Sequence, residues 1–126
     1  MNYHFTVNGK LPSLNEVIAK NRTNKYAGAK YKKDIETLII TMIKTAQRAG
    51  TIKPINEPCE IYIYWNEQTK RRDVDNIQSA QKFILDALVR SGILIDDCRK
   101  YVRQIYHVIQ DSDSDYVLVV LKTDEV

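Results

Sequence analysis

Long apolar runs are missing from this sequence. Nothing approaches the ~20 consecutive apolar residues that span a bilayer, and the opening MNYHFTVNGK lacks the apolar core of a secretory signal. A cytosolic protein with no membrane partner is therefore expected. Cysteine is scarce as well. Cys59 and Cys98 lie far apart and neither pairs with a histidine at ligand spacing, so both are expected to be buried small residues rather than disulfide or zinc ligands. There is no Walker-type phosphate loop and no glycine-rich dinucleotide fingerprint, which argues against a nucleotide cofactor. His4 and His107 are isolated, each in a predicted strand, and are expected to pack or hydrogen-bond there. No Ser, Cys or His stands out as an activated nucleophile. Repeats, low-complexity tracts and linkers are also lacking.

What is present suits one soluble domain over residues 1–126. Hydrophobic residues make up 44% and charged residues 28%, ordinary values for a globular chain. A chain of this length buries roughly two-thirds of its unfolded surface. The net charge of +3 is small, but its distribution is uneven. Val17 to Lys33 contains no acid, yet carries Lys20, Arg22, Lys25, Lys30, Lys32 and Lys33. Further cations gather at Lys70-Arg71-Arg72 and at Arg99, Lys100 and Arg103, while acid collects in DSDSD at 111–115 and in the DEV tail. Charge segregated in this way suits a phosphate backbone on one face. A solvated surface is the plainer reading.

The order of elements is β-α-β-α-β-β. NYHFTV alternates Tyr3, Phe5 and Val7 against His4 and Thr6, as a half-buried strand does, and Asn8-Gly9 turns the chain. Residues 10–29 show no clean period and predict a long loop or a broken short helix. From Lys30 to Ala49, Ile35, Leu38, Ile39, Met42, Ile43 and Ala46 share one helical face, with Gly50 placed to cap the end. PCEIYIYW alternates as a strand. A second helix is predicted from Val74 or Asp75 to Arg90, then strands in YVRQIYHVI and DYVLVVLK, expected to form an antiparallel hairpin. The fold class is thus α+β, with α/β character: one mixed sheet of about four strands with two helices on one face.

The segment KRRDVDN, residues 70–76, sets three cations against two aspartates. Acids favour helix N-termini, and Asp75 with Gln78 resembles a capping box. Capping, however, needs one aspartate. On a chain leaving a strand, positions i and i+2 project to one side, so Asp73 and Asp75 are candidate ligands of a hard cation, Mg²⁺ or Mn²⁺, with water and substrate phosphate completing the shell. A third acid is available in GILIDDCRK, where a roughly 23 Å extended return matches the roughly 22 Å of helix before it. Spacing alone leaves Asp96 and Asp97 as alternatives. On the second helix, Ile77, Ala80, Phe83, Ile84, Ala87 and Leu88 share an apolar face, and Asp75, Ser79, Lys82 and Asp86 lie opposite. Lys82, about 10 Å along the axis from Asp75, is a candidate phosphate contact if its side chain leans toward the N-terminus. The alternative is an exposed pair with Asp86. These parts point to metal-assisted phosphodiester hydrolysis.

RRDVDNIQSAQKFILDALVRSGILIDD resembles the core of the RusA-type Holliday junction resolvases, with their Asp-x-Asp-Asn opening, Asp-Ala-Leu within the helix, a Gly and a later Asp. LPSLNEVIAKNRTNKYAGAKYKKDIE is similar to the N-terminal region of RusA-like proteins from phages and prophages of Gram-positive bacteria. The resemblance covers residues 3 to 110. It implies a homodimeric, Mg²⁺-dependent endonuclease, with Mn²⁺ as a substitute, that resolves four-way DNA junctions by paired cuts in recombination and repair in the bacterial cytoplasm. Its acids map to Asp73, Asp75 and Asp97, its Asn to Asn76 and its leading basic residue to Arg72. The family lysine falls at Ser79 by counting from Asp75, and at Lys82 by counting back from Asp86-Ala87-Leu88. Backbone contacts are expected from Lys20, Arg22, Lys25, Lys30 and Arg71. The alternatives are a non-catalytic binder of junctions or single strands with this fold, and a metal nuclease acting on other branched nucleic acids.

Overall fold

A computed structural model describes residues 1–124; Glu125 of the acidic tail lies outside the described residues. The elements are β1 (Asn2–Asn8), α1 (Leu14–Thr23), α2 (Lys25–Ala49), β2 (Cys59–Glu67), α3 (Val74–Gln78), α4 (Gln81–Arg90), β3 (Val102–Asp111) and β4 (Tyr116–Thr123). The strands form one mixed sheet in the order β1-β4-β2-β3. β2 and β3 run parallel, joined through α3 and α4, and β4 runs antiparallel to both β1 and β2.

Alternation decides which face is covered. Phe5, Val7, Ile61, Ile63, Trp65, Val119 and Leu121 are buried in one cluster with Ile39, Ile43, Phe83, Ile84 and Leu88 of the helices. The opposite row, which includes Tyr62, Tyr64, Leu118 and Val120, is only half-buried. The helices thus occupy one face, as the α+β reading requires.

Three local expectations are corrected. The last two strands are not a hairpin, because β2 lies between β3 and β4. VLVVL in β4 is apolar on both rows, so it gains most from a central place with a neighbour on each side. β3, carrying Arg103, Gln104 and Gln110, suits an edge. The acidic turn therefore crosses the end of β2, where the Ser112 N–H bonds Glu67 O and the Gln68 N–H donates to Asp115 Oδ1.

Of the two alternatives for residues 10–29, the structure has the broken short helix: α1 ends at Thr23 and α2 begins at Lys25. Ser13 Oγ accepts the Glu16 N–H and starts α1. Asn24 closes α1 through its N–H to Lys20 O and opens α2 by accepting from Tyr26 and Ala27. α1 buries only Val17, so little apolar period was there to be seen. Along α2, Ile35, Ile39 and Ile43 are buried and Met42 and Ala46 half-buried, but Leu38 faces solvent. Gly50 caps α2 at φ 81, the left-handed conformation that glycine adopts most easily.

The second helix is broken at Ser79–Ala80, and short i→i+3 bonds carry the chain through. Ser79 Oγ donates to Asn76 O and accepts the Leu14 N–H, a side-chain competition that disfavours regular helix. The apolar face survives the break: Ile77, Ala80, Phe83, Ile84, Ala87 and Leu88 are all buried.

Candidate metal and nucleic-acid site at the start of α3

Glu67 closes β2 on the same row as Trp65, so alternation drives a carboxylate into the covered side of the sheet. Arg72 meets it there. Its Nε and NH2 donate to the two carboxylate oxygens at 3.0 Å each, and NH1 donates to Leu11 O at 2.8 Å. The side chains are only 14% and 6% exposed, so this is an internal, bidentate pair. Arg72 thus anchors the loop into α3, and three of its donors are already used. Lys70 makes an exposed pair with Asp111. Arg71 is exposed and makes no hydrogen bond or ion pair with the described residues.

That anchored loop delivers Asp73 and Asp75. Asp73, not Asp75, takes the N-cap position of α3, in extended backbone at φ −68 and ψ 149, yet its side chain makes no capping hydrogen bond. Among the described residues its carboxylate has no hydrogen-bond or ion-pair partner. Asp75 accepts the Asn76 N–H at 3.0 Å and remains exposed. Asn76 Oδ1 accepts from Asn15 of α1 at 3.1 Å. With the Leu14–Ser79 bond, this docks the N-terminus of α1 on α3.

Lys20 lies about 9 Å along α1 from that contact. The basic corner is solvent-exposed: Lys20 sits over Tyr31, Lys25 over Tyr26 and Lys30 pairs with Asp34. Arg22 is exposed on the last turn of α1.

The third acid lies elsewhere. After Gly92, Ile93 and Leu94 are buried and Leu94 bridges to Ile55, so the return is held against the core. It brings Asp96 and Asp97 into an open cleft of about 280 Å³ with Asp86, Val89 and Arg90. Asp96 accepts the Asp97 N–H at 2.8 Å, and Asp97's carboxylate has no partner among the described residues. Lys82 pairs with Asp86, 3.6 Å away and one turn toward the C-terminus, rather than leaning back toward Asp75. Arg90 bridges from the cleft to the buried Glu36.

As arranged, no three His, Cys, Asp or Glu side chains among the described residues form a group that could hold a metal. Asp73 and Asp75 fit the hard-oxygen chemistry of Mg²⁺, which binds through one or two carboxylates with water and phosphate. Asp97 is not gathered with them.

Behind the site, the Trp65 Nε1–H donates to His107 Nδ1 at 2.9 Å, and His107 Nε2 meets Gln81 Oε1 at 2.8 Å. Burial lowers the His107 pKa from its ordinary value. His107 therefore hydrogen-bonds within the fold, as expected, linking the sheet to the first residue of α4; His4 is exposed. Cys59 is buried as expected, its thiol pushed up to about 11 chiefly by desolvation, but Cys98 is exposed, which corrects the expectation of a buried residue there. The residues that sequence reasoning missed are Glu67, Glu36, Asn15 and Asp115. Glu67 carried a signal: extending the Ile61, Ile63, Trp65 alternation by one step predicts a buried charge in need of a partner.

Comparison with known proteins finds no matching family model and no matching curated relative. No helix among the described residues is long and apolar enough to cross a membrane.

Proposed function

We propose that this chain is a Mg²⁺-dependent, structure-selective DNA endonuclease of RusA-like type, acting on four-way junctions as a homodimer in the cytoplasm. The observation that carries this reading is the Asp73 carboxylate. It stands at the N-cap position of α3 and makes no capping hydrogen bond, while Asp75 follows two residues later on an exposed surface. The segment leaves the carboxyl end of a strand that is parallel to its neighbour, the customary place for a ligand in an open sheet with parallel strands.

Asp73 and Asp75 would hold the ion, with Mn²⁺ as a substitute. When bound, it would activate water and stabilise the charge of a phosphodiester under attack. Arg71 would take a neighbouring phosphate, and Lys20, Arg22, Lys25 and Lys30 would seat the backbone, positioning rather than selecting sequence. Arg72 and Asn76 serve indirectly, by anchoring the loop and docking α1. Lys82 and Asp97 are assigned to catalysis on the resemblance alone.

The test is cleavage of a synthetic four-way junction with and without Mg²⁺. Paired cuts that depend on Mg²⁺ and fall by about 10²-fold or more in Asp73→Asn and Asp75→Asn are expected. An equal loss in Asp97→Asn is required for its role. Binding without cutting would overturn the catalytic reading in favour of a junction-binding protein. Faster cutting of flaps than of junctions would reassign the substrate.

A further inference from the structure

The two edges of the sheet are finished differently. On β1, the His4 N–H bonds Thr51 O and the Thr51 hydroxyl donates to His4 O, so the segment after α2 covers part of the edge. The side chains that β1 exposes are Asn2, His4, Thr6 and Asn8. β3, the other edge, has ten residues, no Pro and no Lys. It exposes Tyr106, Val108 and Ile109 at 39%, 36% and 37%. Natural edge strands are usually blunted by Lys, Pro, bulges or covering segments. β3 has one irregularity, at its start, where the pairing skips from Val102 to Gln104, and is regular from there to Asp111.

We infer that β3 pairs antiparallel with β3 of a second copy of this chain, about a two-fold axis at His107, giving a continuous eight-stranded sheet. Self-complementarity selects the occupant. Directly opposed residues of an antiparallel pair share a face, so the axis must pass through a residue rather than between two. Centred on His107, the register opposes Ile105 with Ile109, Tyr106 with Val108 and Gln104 with Gln110, each twice, so apolar meets apolar and amide meets amide. Arg103 lies at the irregularity, outside this alternating stretch, and binds Asp124 of its own chain. No like charges are opposed.

An axis through His107 normal to the sheet leaves both helix layers on one side. The two Asp73–Asp75 segments, each at the carboxyl end of its β2, would then lie at opposite ends of the joined sheet. The inference deepens the homodimer of the proposed function, but its test uses neither DNA nor metal, so the two readings fail separately.

Sedimentation of the wild-type chain up to roughly 100 µM should show a dimer. Val108→Lys and Ile109→Lys should each weaken association by roughly tenfold or more, with far-UV circular dichroism unchanged. Tyr106→Cys with Val108→Cys, on a Cys98→Ser background, should oxidise to an interchain disulfide-linked dimer. A monomeric wild type, a dimer indifferent to both lysine substitutions, or a dimer without the disulfide would overturn the proposal. The second outcome would point instead to the open Tyr62/Tyr64 sheet face.

Discussion

Replacing Arg72 by Ala separates a structural role from a phosphate contact. Arg72 and Glu67 are 14% and 6% exposed, and the substitution removes two charge-assisted bonds to Glu67 and one to Leu11 O. Glu67 would be left buried and without a partner. Breaking such a pair from one side costs about 3–5 kcal/mol, a large part of the ~5–15 kcal/mol that holds a domain together. For a chain of 126 residues the melting temperature should fall by roughly 10–20 °C. Lys70→Ala, which removes an exposed pair, should change stability by no more than ~1 kcal/mol. Arg72→Met with Glu67→Leu should recover most of the loss, since paired apolar replacements of a buried ion pair are often neutral. Thermal and urea melts read all four proteins. If Arg72→Ala melts within a few degrees of wild type, the internal-anchor reasoning is refuted. A preserved melting temperature with weaker, less salt-sensitive junction binding would instead make Arg72 a phosphate contact.

Two further predictions concern the frame of the site. His107 has a folded-state pKa lowered from 6.5 by desolvation, and its Nδ1 already accepts from Trp65, so protonation there would set two donors against each other. Because the folded pKa is depressed, this contribution is complete above pH 6.5 and is lost as pH falls through the folded value; urea melts should show stability declining by up to about 1.4 kcal/mol per pH unit in that window. His107→Leu should flatten that dependence. Gly28→Ala would normally strengthen a helix by about 1 kcal/mol, yet a Cβ at Gly28 would lie 2.7 Å from Asn21 Cα. The expected sign is therefore reversed, a loss of about 1–3 kcal/mol in a melt, with α1 displaced from α2.

Much of the fold was legible because burial follows simple periods. The strands of β1, β2 and β4 and the apolar face spanning α3 and α4 were readable from alternation and from spacing of three and four. What was not legible depended on partners distant in sequence. Pairing order is one case: nothing local says that β4 slips between β1 and β2, although its two apolar rows hint at a central place. α1 is another, since its N-terminus is secured by Ser79 and Asn76, more than sixty residues away. The break at Ser79 has the same origin. A hydroxyl occupied by both Asn76 O and the Leu14 N–H is invisible to a helical wheel.

The candidate site divides along the same line. Sequence spacing brought Asp73 and Asp75 together because only Val74 separates them, and two residues cannot stray far. It treated Lys70, Arg71 and Arg72 as one cationic knot, but three adjacent side chains on an extended chain point in different directions and meet different surroundings. One reaches a surface acid, one has no partner among the described residues and one turns inward to Glu67. The reasoning for Asp97 depended on chain reach, which sets an upper limit on distance and says nothing of direction. The buried Ile93 and Leu94 fix where the return runs, and it reaches Asp86 and Arg90 on α4. A loop anchored by Arg72 can hold Asp73 away from its own helix cap, and that restraint is what makes its unpaired carboxylate meaningful. An acid free to cap would have capped; Asp73 instead keeps its carboxylate exposed, with no capping bond to the α3 N–H groups.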